Sequence, residues 1–277
     1  MTEPEKSWWE LRNDDLREHG HDAQLLSREI CALLQEVDAR SSPPSLGWPD
    51  PHPHGTVPTE DEYERCPNPE KFQLVAARAR AWATVLLGRG WAREESGVRW
   101  ALPPMESGGR DAVLVPSASG AVPLVLTIHE PTSDQHIVTV SIGAGDPAVR
   151  LASVPDCGCD GCDHGSAALL EELDSWALSV VDGSLQVEVT ADQYSTRTSF
   201  RSEGGSPVQG LVAATAFSAG PWAEGWTARS VAPPVEPQPP QSELSVQFAF
   251  NKNLVQSAFR RLMGRPAPGP QVYRTED

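Results

Sequence analysis

Positive charge is what this sequence has least of. Its 22 Lys and Arg stand against 38 Asp and Glu, a net charge of −16. Phosphate backbones and anionic membrane surfaces are bound by clustered cations that displace counterions. Nucleic acid and lipid headgroups are therefore excluded as general partners, whereas a basic partner is compatible. The imbalance is uneven: residues 1–70 carry 16 acidic and 6 basic side chains, so −10 of the −16 lies there, as in a solvated acidic region. Long apolar runs are absent as well, none reaching the ~20 residues that span a bilayer. The N-terminus is charged where a secretory leader would be apolar, and the expectation is a cytoplasmic protein.

Apolar residues make up 39% of the chain and aromatics 6%, below an average globular composition. The core is expected to be smaller than 277 residues would allow, built from residues ~65 to ~220. The signatures of common chemistries are missing too. There is no P-loop, no G-x-G-x-x-G opening a helix, no G-x-S-x-G elbow and no H-E-x-x-H pair. The pairs Glu94–Glu95 and Glu171–Glu172 point to different sides of their elements and read as solvated faces. His129, near the end of a strand, has no partner identifiable in the sequence for a general-base role. No catalytic residue is assigned.

Cysteine is scarce, five residues in all, and unevenly placed. Three of the five fall in the stretch PDCGCDGCDHGS at 155–166, alternating with Asp156, Asp160 and Asp163 and leading into a strongly amphipathic helix. Cysteines spaced this closely in a reducing compartment point to metal ligands or working thiols rather than structural disulfides.

The rest of the chain reads as α+β. A helical stripe of Leu26, Ile30, Leu33, Leu34 and Val37 closes a helix over 7–37 whose first half is interrupted by Gly20. The proline-dense stretch 41–59 reads as a linker. It holds His52 and His54 near Asp50, but in a segment without the fixed geometry a metal needs. A second helix over 70–87 buries Phe72, Val75, Ala79, Trp82 and Leu86. Strands are expected at 98–102, 112–115, 122–129, 136–142 and 149–154 with short connections, an antiparallel meander. Ser166 caps a helix over 167–181 with Leu169, Leu173, Trp176, Ala177 and Val180 inward and Glu171, Glu172, Asp174, Ser175 and Ser179 on the other side. Strands at 185–190 and 194–200, and one within 211–217, follow. The expected fold is an antiparallel sheet packed by two main helices, with an N-terminal helix and a C-terminal strand-helix appendage. The segments are 1–40, a linker at 41–59, the main domain at 60–230, a second proline linker at 231–242, and the C-terminal unit at 243–277. That last unit is too small for its own core. Its strand-like LSVQFAF (244–250) and basic helix with Arg260, Arg261 and Arg265 dock either on the main sheet or on a protein partner as an added strand.

Cys157, Cys159, Cys162 and His164 form a C-x-C-x2-C-x-H set suited to tetrahedral zinc, with Gly158, Gly161 and Gly165 giving the backbone freedom to wrap an ion. Thiolates gathered among aspartates are unfavourable unless a cation reverses the sign of the local field. Two other readings stand beside a metal-stapled loop. One is a redox pair, Cys159 and Cys162, ahead of a helix N-terminus, although redox C-x-x-C motifs follow a strand in a βαβ unit. The other is a glycine-turn loop with no chemistry. An iron–sulfur cluster would need a fourth thiolate from Cys31 or Cys66.

The run Cys157, Gly158, Cys159, Asp160, Cys162, Asp163, followed by Glu171, Glu172 and Leu173, resembles an actinobacterial family of unknown function whose members carry a CGCDACD motif before an acidic helix. Tyr63 and the run Pro69-Glu70-Lys71-Phe72 resemble that family's upstream helix start, so the likeness covers about residues 60–200. Two positions depart from the family: Asn68 stands where relatives have histidine, and His164 is not part of the motif. If relatives lack that histidine, the fourth ligand falls to Asp163, Asp156, Cys66 or water. The resemblance implies no activity, and the expectation is a non-enzymatic binding or accessory protein.

Overall fold

The computed structural model describes residues 6–41, 47–133, 136–205 and 208–231, all within the compact unit Met1–Val235. The appendage expected at 243–277 lies outside the described residues, as does the linker before it from residue 232 onward.

Four α-helices and ten strands form an α+β fold among the described residues. Helix α1 (Trp8–Glu18) and helix α2 (Arg28–Arg40) replace the single helix expected over 7–37. The break is at Gly20, whose φ of 73° no helix accommodates, and Ser27 restarts the helix by accepting from the Ile30 amide. A 3-10 turn (Pro69–Phe72) leads into α3 (Gln73–Gly88), and α4 spans Gly165–Val181.

The main sheet is built from β1 (Ala92–Glu95), β2 (Trp100–Leu102), β3 (Arg110–Pro116), β4 (Leu124–His129), β5 (Thr139–Gly145) and β6 (Ala148–Val154), in the order β1-β3-β4-β5-β6-β2. Neighbours are antiparallel except β2, which lies parallel to β6, so the sheet is mixed rather than the pure meander expected. Strand β1 has the sequence AREE, too polar to read as a strand. It is an edge, and its three charged residues are exposed. A second antiparallel sheet, β10-β7-β8-β9, comprises β7 (Gln186–Val189), β8 (Tyr194–Arg197), β9 (Ser202–Gly205) and β10 (Thr215–Ser218).

Helices α3 and α4 contact the main sheet, while α2 packs on α3 and α1 on α4. One continuous core results, with Leu33 and Leu34 of α2, Val75, Trp82 and Leu86 of α3, Leu126, Val140 and Ile142 of the sheet, and Leu173, Trp176 and Val180 of α4. Each such side chain contributes roughly 1.5–3 kcal/mol by leaving water. Because α1 covers its outer side, α4 is buried on both faces. Asp174 and Ser179 are fully enclosed rather than solvated, contrary to the amphipathic reading of that helix.

Asp174 is the knot of the helical layer. Arg78 of α3 donates to it twice, at 2.8 and 2.6 Å, and the indoles of Trp8 and Trp82 donate at 2.9 and 2.7 Å. Arg78 also reaches Asp38 of α2 at 2.8 Å, so all four helices meet at one ion pair. Burial opposes the Arg78 charge, but Asp174 and Asp38 outweigh it and hold the guanidinium above its ordinary value.

Candidate metal centre

The cysteine loop leaves the end of β6 and enters α4. A 3-10 turn over Asp160–Cys162 folds the chain back on itself, which brings together sulfurs separated by up to five residues in sequence. The Sγ atoms of Cys157, Cys159 and Cys162 all lie within 4.8 Å of one another, each side chain half-buried. Cys157 and Cys159 are 3.2 Å apart, and none of the five cysteines is in a disulfide. Sulfurs sharing one zinc at ~2.3 Å sit about 3.8 Å from each other, so this spacing is that of a ligand set.

Crowding sets the electrostatics. Hydrogen bonding from Cys157 pushes the Cys159 thiol up, and Cys157 and Cys159 together push Cys162 up further. A redox nucleophile needs the reverse, a thiol lowered toward neutrality. The topology also departs from a redox unit, because α4 connects β6 of one sheet to β7 of another. The triad is therefore more consistent with a structural or zinc-binding role than with an active disulfide-redox pair, and it makes a plausible zinc site. A cation at the centre would favour the ionised forms of Cys159 and Cys162 that crowding now disfavours.

His164, expected as the fourth ligand, is exposed at the N-cap position of α4 and does not belong to the compact group. The aspartates also serve another purpose than supplying negative charge to the sulfurs. Asp160 is paired with Arg65 at 2.9 Å, and Asp163 accepts from Lys71 at 2.5 Å, from the Trp48 indole at 2.9 Å and from the Gly165 amide at 2.8 Å. Burial raises the Asp163 pKa, but these donors outweigh it and hold the carboxyl below the ordinary carboxylate range.

Arg65, Lys71 and Trp48 come from residues 47–72, a strap whose first part, 47–59, falls in the segment expected as a linker. Trp48 and Ser166 exchange backbone and hydroxyl hydrogen bonds at 3.0 Å, and the amide of Asp160 donates to the Arg65 carbonyl at 3.0 Å. Prolines restrict this strap without detaching it, because its hydrogen bonds go to the loop rather than to a ladder. Two of the loop's three glycines, Gly161 and Gly165, serve the same docking, while Gly158 sets the loop against Ile137. A Cβ on Gly158 would meet Ile137 at 2.5 Å, one on Gly161 the Tyr63 ring at 2.8 Å, and one on Gly165 the Asp50 backbone at 2.6 Å. Only Gly165, at φ 83°, also needs glycine for its backbone conformation. His52 is buried within the strap, with its Nε2 3.4 Å from Glu62.

Two other polar sites were not legible in the sequence. His129 of β4 is buried, and its Nε2 meets Ser141 Oγ at 3.0 Å in a row that runs on to Ser153 and Glu106. Burial holds its pKa below the ordinary imidazole value, against the opposing pull of Glu106 and Asp111. A cavity of about 630 Å³ is lined by residues of 23–30 and 224–230 together with Asp182 and Ser199. Its buried carboxylate, Asp182, is met by Arg229 at 3.2 Å and by the Ser184 amide at 2.9 Å.

Residues 37–236 match a family of unknown function, DUF6226, and the chain belongs to that family. The matched region takes in the strap as well as the cysteine loop. No curated protein and no solved structure matches the chain.

Proposed function

We propose, from membership of a family that lends no activity, that this chain is a non-enzymatic binding or accessory protein whose loop at 157–164 is stapled by one zinc ion. The observation that carries the reading is the meeting of three sulfurs within 4.8 Å on a turn of only six residues. Zinc held by thiolates without an open position is a folding element, and its free energy of binding stabilises whatever it joins. Here it joins the end of β6 to the start of α4. The CGCDGCD run at 157–163 is, on this reading, the family's CGCDACD-type signature, and the actinobacterial origin of its members belongs to the same proposal. On sequence grounds alone, the segment 243–277 is the surface for a protein partner, adding 244–250 as a strand and presenting Arg260, Arg261 and Arg265.

Elemental analysis of the purified full chain, paired with thiol titration, tests the staple. About one equivalent of zinc is expected, with the loop thiols unreactive until a chelator is added. Metal-free protein with one fast-reacting cysteine of depressed pKa would support the redox pair Cys159 and Cys162 instead.

A further inference from the structure

A closed structural zinc site takes four protein ligands, and the triad supplies three. Around the triad, the nearby carboxylates Asp160 and Asp163 already have other work. Asp160 is held by Arg65, and Asp163 by Lys71, Trp48 and Gly165. His164 is exposed, where Cys66 is half-buried.

Cys66 stands differently. It follows Arg65, whose carbonyl accepts from the Asp160 amide at 3.0 Å and whose guanidinium pairs with the Asp160 carboxylate at 2.9 Å. The strap and the loop are thus pinned together one residue from Cys66 on one side and one residue from Cys159 on the other. The Tyr63 ring lies against Gly161 on the same contact. Cys66 is half-buried beside this contact, and its Sγ is not one of the three that lie within 4.8 Å of one another, so ligation requires it to move toward them.

We propose that Cys66 is the fourth thiolate, completing an all-cysteine site with Cys157, Cys159 and Cys162. The inference rests on the zinc reading of the loop and extends it: the ion clips the proline-rich strap to the foot of α4, rather than merely closing the loop on itself. Zinc with four thiolates carries a net charge of about −2. Arg65 and Lys71, at the strap–loop contact, neutralise Asp160 and Asp163, so those carboxylates do not add to it. Binding releases the thiol protons to solvent, one for each thiolate formed, with no change of oxidation state.

The test uses the full chain loaded with cobalt in place of zinc, read by the sulfur-to-cobalt charge-transfer absorption, which grows with the number of thiolates. Cys66→Ser should keep the metal but lose about one quarter of that intensity, as expected when one of four equivalent ligands is removed. His164→Asn should leave the spectrum unchanged. Full intensity in Cys66→Ser, or a loss in His164→Asn, overturns the assignment of Cys66 while leaving a metal site. Failure of the wild-type chain to bind cobalt or zinc overturns the metal reading itself. A second measurement needs no variant: alkylation of the zinc-loaded wild type, mapped by peptide mass. Cys66 should be protected together with the triad, roughly tenfold or more, and released by a chelator with it. Alkylation of Cys66 at one rate with and without zinc overturns the proposal.

Discussion

Two polar clusters sit along α4, one midway and one at its foot, and they are completed in different ways. At Asp174, a fully buried carboxylate receives four hydrogen bonds from Arg78, Trp8 and Trp82. The protein itself supplies every partner, so the knot has nothing to gain from a ligand. At the cysteine loop, three sulfurs are gathered where the nearest partner of Cys159 is another sulfur, and each raises the cost of ionising the next. Buried polar groups that satisfy one another are architecture. Groups that disfavour one another's ionisation at ligand spacing are the kind that a cation would stabilise.

The sharpest way to break this comparison is at its self-sufficient cluster. Asp174→Ala leaves Arg78 buried without its main counter-charge and strands two indole donors. The expected loss is ~3–5 kcal/mol in urea unfolding, with or without zinc. A loss that disappeared on adding zinc would mean the two clusters are not independent. At the loop, Gly165→Ala forces an alanine into φ 83° and drives its Cβ to 2.6 Å from the Asp50 backbone. About 1–3 kcal/mol is expected. That loss should come with faster proteolysis within 47–63, because the strap has to lift. Wild-type resistance of this segment in the variant would show that the strap docks elsewhere.

The smallest expected effect is a dependence on pH. Lys71, Trp48 and Gly165 hold the Asp163 carboxyl below the ordinary carboxylate range. A group whose folded pKa is depressed contributes stability that is fully present above its unfolded value, ~3.9, and is lost as pH falls through the lower folded value. Strap docking should therefore weaken below about pH 4, and Asp163→Asn should flatten that acid limb while lowering stability at neutral pH. An unchanged acid limb in the variant would remove Asp163 as its source. Zinc affinity should fall in the same direction but at higher pH, since protons compete for the thiolates.

Much of this was legible in the linear chain. The period-two runs located β3 to β6 to within a few residues, because alternating apolar side chains have only one way to bury in a sheet. The helices over 73–88 and 165–181 were legible for the same kind of reason. The triad was legible because three cysteines in six residues cannot be far apart once the chain turns. Strand β1 was not, since an edge strand buries too little to leave an apolar pattern. The solvated reading of Asp174 failed because periodicity identifies one buried face, whereas a second layer covering the opposite face leaves a sequence signal only in polar residues that look exposed. The first part of the strap, 47–59, was read as a linker because proline density reports lost ladder hydrogen bonds and says nothing of side-chain docking.

By itself the sequence determined that the chain would be an acidic α+β protein with its sulfur chemistry concentrated between a strand and a helix, since charge, periodicity and close spacing are local properties. Only the tertiary structure decided that α4 would be enclosed on both faces, that Asp160 and Asp163 would hold a strap, and that the strap segment carrying Cys66 would be pinned to the cysteine loop through Arg65 and Lys71. Those outcomes depend on which surfaces meet, and the free energy of bringing distant segments together is gained only when the whole fold has closed.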